Sequence, residues 1–277
     1  MPSSSSVPSS SSSASPVPSP SPSSRDSVVA ALRAAGCVFA EDEAELILTA
    51  ARTPDEAAAL VARRAAGAPL ELVVGWAEFR GLRIAVEPGV FVPRRRTEFL
   101  VEQALALAPG AAVVVDLCCG SGAVGAALAA GLGPVELHAA DIDPVAVRCA
   151  RRNVAAAGGQ VHTGDLFEAL PAALRGRVDI LAANVPYVPS GEIGLLPAEA
   201  RDHEPLTALD GGADGLDVVR RVAEEAPRWL APGGCVLVET GRQQAPAAVD
   251  AFERGGLTTR LAVSEEGYAH VVTGVRP

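Results

Sequence analysis

One short apolar run, followed by an acid and a glycine-containing loop, constrains the fold of this chain most strongly. The run spans residues 112–116, Asp116 ends it, and a helix-forming stretch begins at residue 122. A continuous apolar run of this length indicates a strand that is buried on both faces, as in a parallel sheet. Because strand and helix patterns continue beyond it, the sequence predicts an α/β fold with a parallel sheet covered by helices on both faces.

The predicted sheet has seven strands, at residues 112–116, 135–140, 161–163, 178–183, 235–240, 257–263 and 270–275. Helices are predicted at residues 122–131 and 144–157, and no helix is expected between the last two strands. Ligands of such sheets bind at the carboxyl ends of the strands, where the strand order reverses. Functional residues are therefore expected directly after the strands.

The chain is predicted to consist of four segments that differ in composition. Residues 1–24 are nearly all Ser and Pro and bury too little apolar surface to offset their ordering entropy, so we expect a disordered tail. Residues 25–67 carry three helical patterns and predict a small helical N-terminal domain. Residues 68–95 form a connector in which an alternating pattern over residues 70–92 predicts a β-hairpin. Residues 96–277 hold the α/β domain.

Charge balance and the lack of long apolar runs argue against several classes of partner. The chain has 33 acidic and 23 basic residues and a formal net charge of -10, so we expect no nucleic-acid partner. No apolar run reaches the roughly 18 residues that a membrane-spanning helix needs, so we expect no membrane partner. The five cysteines are odd in number and lack metal-ligand spacing, which predicts no metal site and free thiols in a reducing cytoplasm.

The loop after the first strand predicts a nucleotide-type cofactor and leaves two classes open. Gly120, Gly122 and Gly125 fit the pattern G-x-G-x-x-G, and Asp141 follows about 20 residues later, as in NAD(P)-binding proteins. Asp116 favours S-adenosylmethionine, because a carboxylate there can hold the cationic methionine group but would repel a pyrophosphate. Asp141 can accept hydrogen bonds from both ribose hydroxyls, whereas Asp116 could instead be a capping or turn residue. The loop residues expected at the cofactor are Cys118, Cys119, Gly120, Ser121 and Gly122.

The most informative motif is Asn184-Val185-Pro186-Tyr187, which directly follows the fourth predicted strand. A carboxamide nitrogen is a poor nucleophile because its lone pair is delocalised, so an enzyme that methylates it must orient it toward the methyl donor. The side-chain oxygen of Asn184 can accept one N–H of a target NH2 group, and the carbonyl of Val185 can accept the other. Both hydrogen bonds strengthen as charge develops on the nitrogen. Pro186 keeps Val185 extended, and Tyr187 offers a flat wall for the amide. An ordinary strand-to-loop turn would also fit these residues.

This motif resembles that of the HemK/PrmC-type protein-glutamine methyltransferases, which have Asn-Pro-Pro-Tyr at the same point. The resemblance runs from about residue 68 to the end and includes residues 89–94, 97–98, 204–208 and 239–244. It implies a Rossmann-like, seven-stranded class I methyltransferase domain that uses S-adenosylmethionine to methylate a protein glutamine, with peptide chain release factors as the favoured substrate. It also implies that Asp165 and Leu166 lie at the cofactor, although Leu166 could equally be a core leucine.

Two departures from the family pattern concern the acceptor motif and the cofactor loop. Val185 replaces the first Pro of the motif, which preserves the carbonyl acceptor but introduces an N–H group. Cys118 replaces the first Gly of the cofactor loop, so a side chain lies where the family has none. The chain thus resembles a related subgroup, whose protein substrate could differ from the release factors. The sequence is also compatible with a nucleic-acid base amino-methyltransferase, acting on adenine or guanine, and with a non-catalytic nucleotide-binding partner protein.

The sequence leaves two further features open. The arginine run at residues 94–96 fits either contact with an acidic partner or a solvated basic turn. No particular oligomeric state is predicted.

Overall fold

The computed structural model describes residues 24–277, which fall into two compact units that divide after Ala66. The predicted disordered tail at residues 1–24 lies outside the described residues, except for Ser24. The first unit has three helices, α1 at Arg25–Ala34, α2 at Ala40–Ala50 and α3 at Pro54–Ala65. Each helix contacts the other two, and Leu32 and Ile47 are fully buried between them. Thr53 caps α3, since its Oγ1 accepts the N–H of Glu56 at 3.1 Å.

The second unit begins with a short helix and a hairpin. Their bounds are Leu70–Val74 for α4, Trp76–Phe79 for β1 and Leu82–Ala85 for β2, which pairs antiparallel with β1. The hairpin is therefore shorter than the predicted range of residues 70–92. Pro69 precedes α4, and Gly75 ends it at a φ of +84°. A short apolar stretch does not distinguish one helical turn from a strand by its pattern alone, so α4 is missed by the sequence prediction.

Seven further strands form one sheet: β3 Val113–Leu117, β4 Glu136–Asp141, β5 Gln160–Thr163, β6 Val178–Ala183, β7 Leu230–Thr240, β8 Thr258–Val263 and β9 His270–Val275. Their spatial order is β5-β4-β3-β6-β7-β9-β8, which confirms the predicted seven-stranded Rossmann-like sheet. The sheet is mixed, because β9 runs antiparallel to both β7 and β8. Residues 264–269 join β8 to β9 without a helix, and so short a link reverses the direction of the chain.

The strand order reverses at β3, which has β4 on one side and β6 on the other. Leu117, the last residue of β3, pairs with Ala140 of β4 and Ala183 of β6. The carboxyl ends of these three strands therefore meet at one edge of the sheet. This edge is where the fold places the residues that follow each strand.

Both faces of the sheet are covered. The helices of this unit after α4 are α5 Glu98–Leu107, α6 Ala123–Leu132, α7 Pro144–Val154, α8 Ala198–His203, α9 Asp217–Trp229 and α10 Ala245–Arg254. Neighbouring residues of β6 belong to different cores: Leu181 packs with Trp229 of α9, whereas Ile180 packs with Leu128 of α6. Side chains of a strand alternate between faces, so these two cores lie on opposite sides of the sheet. Within the described part of the chain, no helix is both long and apolar enough to cross a membrane.

Candidate active site

A cavity of about 480 Å³ lies where β3, β4 and β6 end. Its volume falls within the range of roughly 300–1,000 Å³ that is typical of small-molecule sites. Every residue that the sequence predicts for the site lines this cavity, with the exception of Gly122. Gly122 instead caps the N-terminus of α6 at a φ of +77°, and a Cβ there would lie 3.1 Å from Ala150 of α7. This glycine is thus required for packing between helices.

Asp116 is buried at the end of β3, where its carboxyl group accepts a hydrogen bond from the first turn of α6. Its Oδ2 accepts the N–H of Gly125 at 2.8 Å, and a Cβ at Gly125 would lie only 3.1 Å from that oxygen. Burial raises the pKa of Asp116 to about 7, against the opposing effect of the Gly125 hydrogen bond and with a smaller contribution from Asp141. Because the residue also lines the cavity, the geometry accommodates both the turn role and a contact with a cofactor.

Asp141 ends β4, and backbone amides hold its carboxyl group. Its Oδ2 accepts the N–H of Gly120 at 2.8 Å, and its Oδ1 accepts the N–H of Asp143 at 2.9 Å. Burial raises the pKa of Asp141, and these hydrogen bonds oppose the shift. A carboxylate oxygen has a further lone pair, so Asp141 can still accept hydrogen bonds from a ligand in the cavity.

Two cavity-lining residues other than glycine adopt left-handed backbone conformations. The φ angle is +53° at Cys118 and +45° at Leu166. This region costs an L-residue about 1–2 kcal/mol, and such strain concentrates at functional sites. The positive φ gives a reason for the glycine that the family pattern has at the Cys118 position. Burial raises the pKa of the Cys118 thiol well above its usual range, which favours the neutral thiol.

Asp165 and Leu166 form the wall beyond the glycine loop. The Oδ2 of Asp165 accepts a hydrogen bond from Nη2 of Arg221 at 2.7 Å. Arg221 comes from α9 and also lines the cavity, but no sequence motif marks it. Leu166 is a core residue and a wall of the cavity at once, so both interpretations of this leucine agree with the structure.

The motif after β6 presents two hydrogen-bond acceptors that lack donors. The Nδ2 of Asn184 lies 3.5 Å from Oγ1 of Thr97, a long hydrogen bond, and its buried Oδ1 has no partner among residues 24–277. The carbonyl of Val185 likewise receives no hydrogen bond from the described residues. A buried acceptor without a donor costs about 1–3 kcal/mol, which a ligand that brings N–H groups would recover.

Tyr187 is held at both its phenol and its backbone. The phenol oxygen accepts a hydrogen bond from Nη2 of Arg96 and donates one to Oε1 of Glu239 at 3.1 Å. Nε2 of Gln244 donates to the Tyr187 carbonyl at 2.7 Å. Burial, together with the nearby Glu239 carboxylate, raises the pKa of Tyr187 well above its usual range, so the phenol keeps its proton.

The arginine run before α5 is neither a free basic patch nor a solvated turn throughout. Nη2 of Arg94 donates to Oε1 of Glu204 at 2.6 Å, and Nε of Arg96 donates to Oε1 of Glu239 at 2.8 Å. Nη2 of Arg95 donates to Oε2 of Glu78 at 3.2 Å, but this pair is exposed to solvent, with 84% of the Arg95 side chain accessible. Glu204 and Glu239 lie in segments that carry the family resemblance, and this was the one signal that could have revealed their two pairings.

The residues at the cavity suit S-adenosylmethionine better than a pyrophosphate-containing cofactor. Asp116 and Asp141 place two carboxyl groups at one end of it, which would repel phosphates and attract a cationic ligand. Gly120 has a φ of +52° and no side chain, so the loop backbone can approach a ligand closely.

Comparison with known proteins places the chain among methyltransferases. The family model described as the methyltransferase small domain matches residues 81–195. Release factor glutamine methyltransferase from Geobacter sulfurreducens is 42% identical over 208 residues, which cover 73% of this chain and 72% of that protein. The 4-amino-L-phenylalanine/4-methylamino-L-phenylalanine methyltransferase of Streptomyces pristinaespiralis is 36% identical over 203 residues, 71% of this chain and 69% of that protein. The crystal structure of a methyltransferase from Pyrococcus furiosus shares the fold, with a TM-score of 0.54 at 18% identity over 71% of this chain and 90% of that one.

Proposed function

Because the chain belongs to the release factor glutamine methyltransferase family, we propose that it methylates the side-chain amide of a glutamine in a peptide chain release factor. The methyl donor is S-adenosylmethionine. The observation that carries the proposal is the pair of free acceptors on successive residues, the Oδ1 of Asn184 and the carbonyl of Val185. A primary amide has two N–H donors on one nitrogen, so two neighbouring acceptors suit it.

In this proposal the motif residues prepare the acceptor nitrogen. Asn184 and Val185 each accept one N–H, which orients the planar amide and leaves a face of its nitrogen open. As positive charge develops on the nitrogen, both hydrogen bonds become stronger, so the transition state gains more from them than the ground state does. Tyr187 bounds the amide on one side. No general base with a pKa near 7 is required before attack.

The cofactor half of the site would be formed by Asp116, Gly120, Asp141 and Asp165. S-adenosylmethionine, when bound, supplies an electrophilic methyl group on a positively charged sulfur. Asp141 offers oxygen atoms to hydroxyl groups and is already oriented by two backbone amides. Asp116 offers a carboxyl group whose ionised form a nearby cation would stabilise.

The charges at the cavity favour a protein over a nucleic acid as the substrate. Each arginine that lines the cavity bonds an acidic side chain: the pairs are Arg94–Glu204, Arg96–Glu239 and Arg221–Asp165. A nucleic-acid enzyme needs basic side chains that are free to neutralise phosphates, and these three are already paired. The five cysteines are free thiols, which supports the cytoplasm as the compartment.

Mass spectrometry of purified release factors, incubated with the enzyme and isotope-labelled S-adenosylmethionine, tests the proposal. We expect one added methyl group on a single glutamine side chain, and none when that glutamine is replaced by glutamate. The control enzyme is Asn184→Ala. Free 4-amino-L-phenylalanine is the competing acceptor, because one relative is named for it. Methylation of this amine or of a nucleic-acid base, with no labelled glutamine, would contradict the proposal.

A further inference from the structure

Three residues from distant parts of the chain meet at the phenol oxygen of Tyr187. Arg96 lies in the 3-10 turn Arg95–Thr97 ahead of α5, Tyr187 follows β6, and Glu239 is the penultimate residue of β7. Arg96 donates to both partners, through Nη2 to the phenol oxygen and through Nε to Oε1 of Glu239, and the phenol donates to that same carboxylate oxygen. Each member of this triad therefore contacts the other two.

Within the triad the carboxylate is buried beside a half-exposed arginine. The Glu239 side chain is 3% exposed and the Arg96 side chain 47%, and the second carboxylate oxygen of Glu239 has no hydrogen-bond partner among the described residues. An ion pair of this kind contributes little net stability, because removing the carboxylate from water offsets most of its attraction to the arginine. Its benefit is therefore expected in the geometry that it imposes on Tyr187.

We propose that Arg96 and Glu239 are positioning residues that fix the Tyr187 ring against the acceptor amide. This inference rests on the proposed function, since it assigns Tyr187 to the wall of the acceptor site. A tyrosine side chain has two rotatable bonds before its ring. The triad holds the phenol end, and Gln244 holds the backbone carbonyl, so the ring is constrained at both ends. Only its face is then left to contact an acceptor in the cavity.

The proposal predicts that the two residues act through one hydroxyl group. Arg96→Gln, Glu239→Gln and Tyr187→Phe should each lower kcat by about 10- to 100-fold, the range expected when a reacting group is misplaced by roughly 1 Å. In the Tyr187→Phe background, Arg96→Gln should cause almost no further loss. The dissociation constant for S-adenosylhomocysteine, measured by calorimetry, should stay within about twofold. A tenfold change in this constant would correspond to about 1.4 kcal/mol of binding free energy. If the losses from the single variants multiply in the double variant, the proposal is wrong.

A second measurement does not depend on the acceptor. The chain has two tyrosines, and the other, Tyr268, is 79% exposed, so Tyr268→Phe isolates the side-chain signals of Tyr187 in an NMR spectrum. The triad holds the phenol oxygen, which a change of the χ1 rotamer would displace, so we expect Hα–Hβ couplings of a single χ1 rotamer in this background and averaged couplings after Arg96→Gln or Glu239→Gln. Arg95→Gln is the matched control, because Arg95 lies in the same turn and also pairs with a glutamate, Glu78, but at a solvent-exposed site, and it should change neither kcat nor the χ1 couplings of Tyr187.

The two measurements separate the inference from the proposed function. Unchanged χ1 couplings of Tyr187 in both triad variants would overturn the positioning role, whatever the activity is. Averaged couplings in the variants, combined with no glutamine methylation by the wild-type enzyme, would instead overturn the proposed function. If kcat and the melting temperature fall together while the couplings stay unchanged, Arg96 and Glu239 contribute to stability alone.

Discussion

The cofactor half and the acceptor half of the cavity are built in different ways. At the ends of β3 and β4, the carboxyl groups of Asp116 and Asp141 are held by backbone N–H groups at 2.8 to 2.9 Å. At the end of β6, the Oδ1 of Asn184 and the carbonyl of Val185 have no partners in the described chain, and Tyr187 is held by side chains. The first half is complete in itself, whereas the second lacks the donors that a substrate would bring.

This difference agrees with what each half is proposed to recognise. A cofactor is the same in every turnover, so a rigid set of acceptors that the main chain orients is sufficient. The acceptor amide must be recognised by hydrogen bonds that grow stronger during the reaction, so its acceptors must be unoccupied beforehand. Substitutions in one half should therefore leave the other half nearly unaffected, and single variants in each half can test that independence.

The largest effect is expected in the acceptor half. Asn184→Ala removes one oriented acceptor, and loss of such a group typically lowers kcat by about 10²–10³-fold. Cofactor affinity should change by no more than a few-fold, because Asn184 is proposed to contact the amide. Single-turnover kinetics and calorimetry with S-adenosylhomocysteine measure the two quantities separately. Near-normal turnover would rule out the proposed contact between Asn184 and the amide.

A substitution in the cofactor half should instead change cofactor affinity more than the rate. Asp141→Ala removes a carboxylate that is proposed to accept ribose hydroxyls, and such hydrogen bonds are worth roughly 1.5–3 kcal/mol, or about 10- to 100-fold in affinity. The rate at saturating cofactor should fall far less than the affinity does. Asp250→Ala, at an exposed carboxylate on α10, is the control. An unchanged dissociation constant would show that Asp141 does not contact the cofactor.

A pH-dependent effect on stability is expected at Asp116. Its pKa rises from 3.8 to about 7 on folding, so the folded state binds this proton more tightly than the unfolded state. Stability from this group is therefore greatest below pH 4, falls as the pH rises toward 7, and is constant above. The slope is up to about 1.4 kcal/mol per pH unit, or about 3–6 °C in melting temperature.

Asp116→Asn should remove this slope, because asparagine can still accept the Gly125 N–H but does not titrate. Thermal denaturation of both proteins from pH 5 to pH 8 measures the difference, in which the titrating groups that do not interact with Asp116 cancel. Parallel curves would show that Asp116 is ionised in the folded protein throughout this range. Asparagine should also weaken cofactor binding if the carboxylate contacts the methionine group, and an unchanged affinity would leave Asp116 with the turn role alone.

The cofactor half could be predicted from the sequence because its contacts are local. Gly120 and Gly125 lie within ten residues of Asp116, and the apolar runs of β3 and β6 mark where the loops begin. Strand β6 is predicted with the bounds that the structure has, so the position of Asn184 at its end follows directly. The reversed direction of β9 does not follow from its apolar pattern, which is the same in either direction.

The acceptor half could be predicted only in part, because its supports are distant in sequence. Arg96 is 91 residues from Tyr187 and 143 residues from Glu239, and no periodic pattern links them. The arginine run alone indicates positive charge and not its partners. One contact of the cofactor half escapes prediction for the same reason, since Arg221 reaches Asp165 across 56 residues from a helix that the sequence prediction lacks.

The smallest effect is expected from Val185→Pro, which restores the family motif. The valine side chain is buried, and its N–H donates no hydrogen bond to a described residue, so proline removes no contact of the backbone. The carbonyl acceptor is preserved, and a proline that fits its site stabilises a protein by about 0.4–1 kcal/mol through the unfolded state. We expect kcat on the release factor within about threefold of the wild type and an equal or slightly higher melting temperature.

If turnover is abolished while the fold survives, the Val185 N–H or side chain contacts the substrate directly. The acceptor would then differ from a release-factor glutamine, and the two halves of the cavity would differ in specificity as well as in construction.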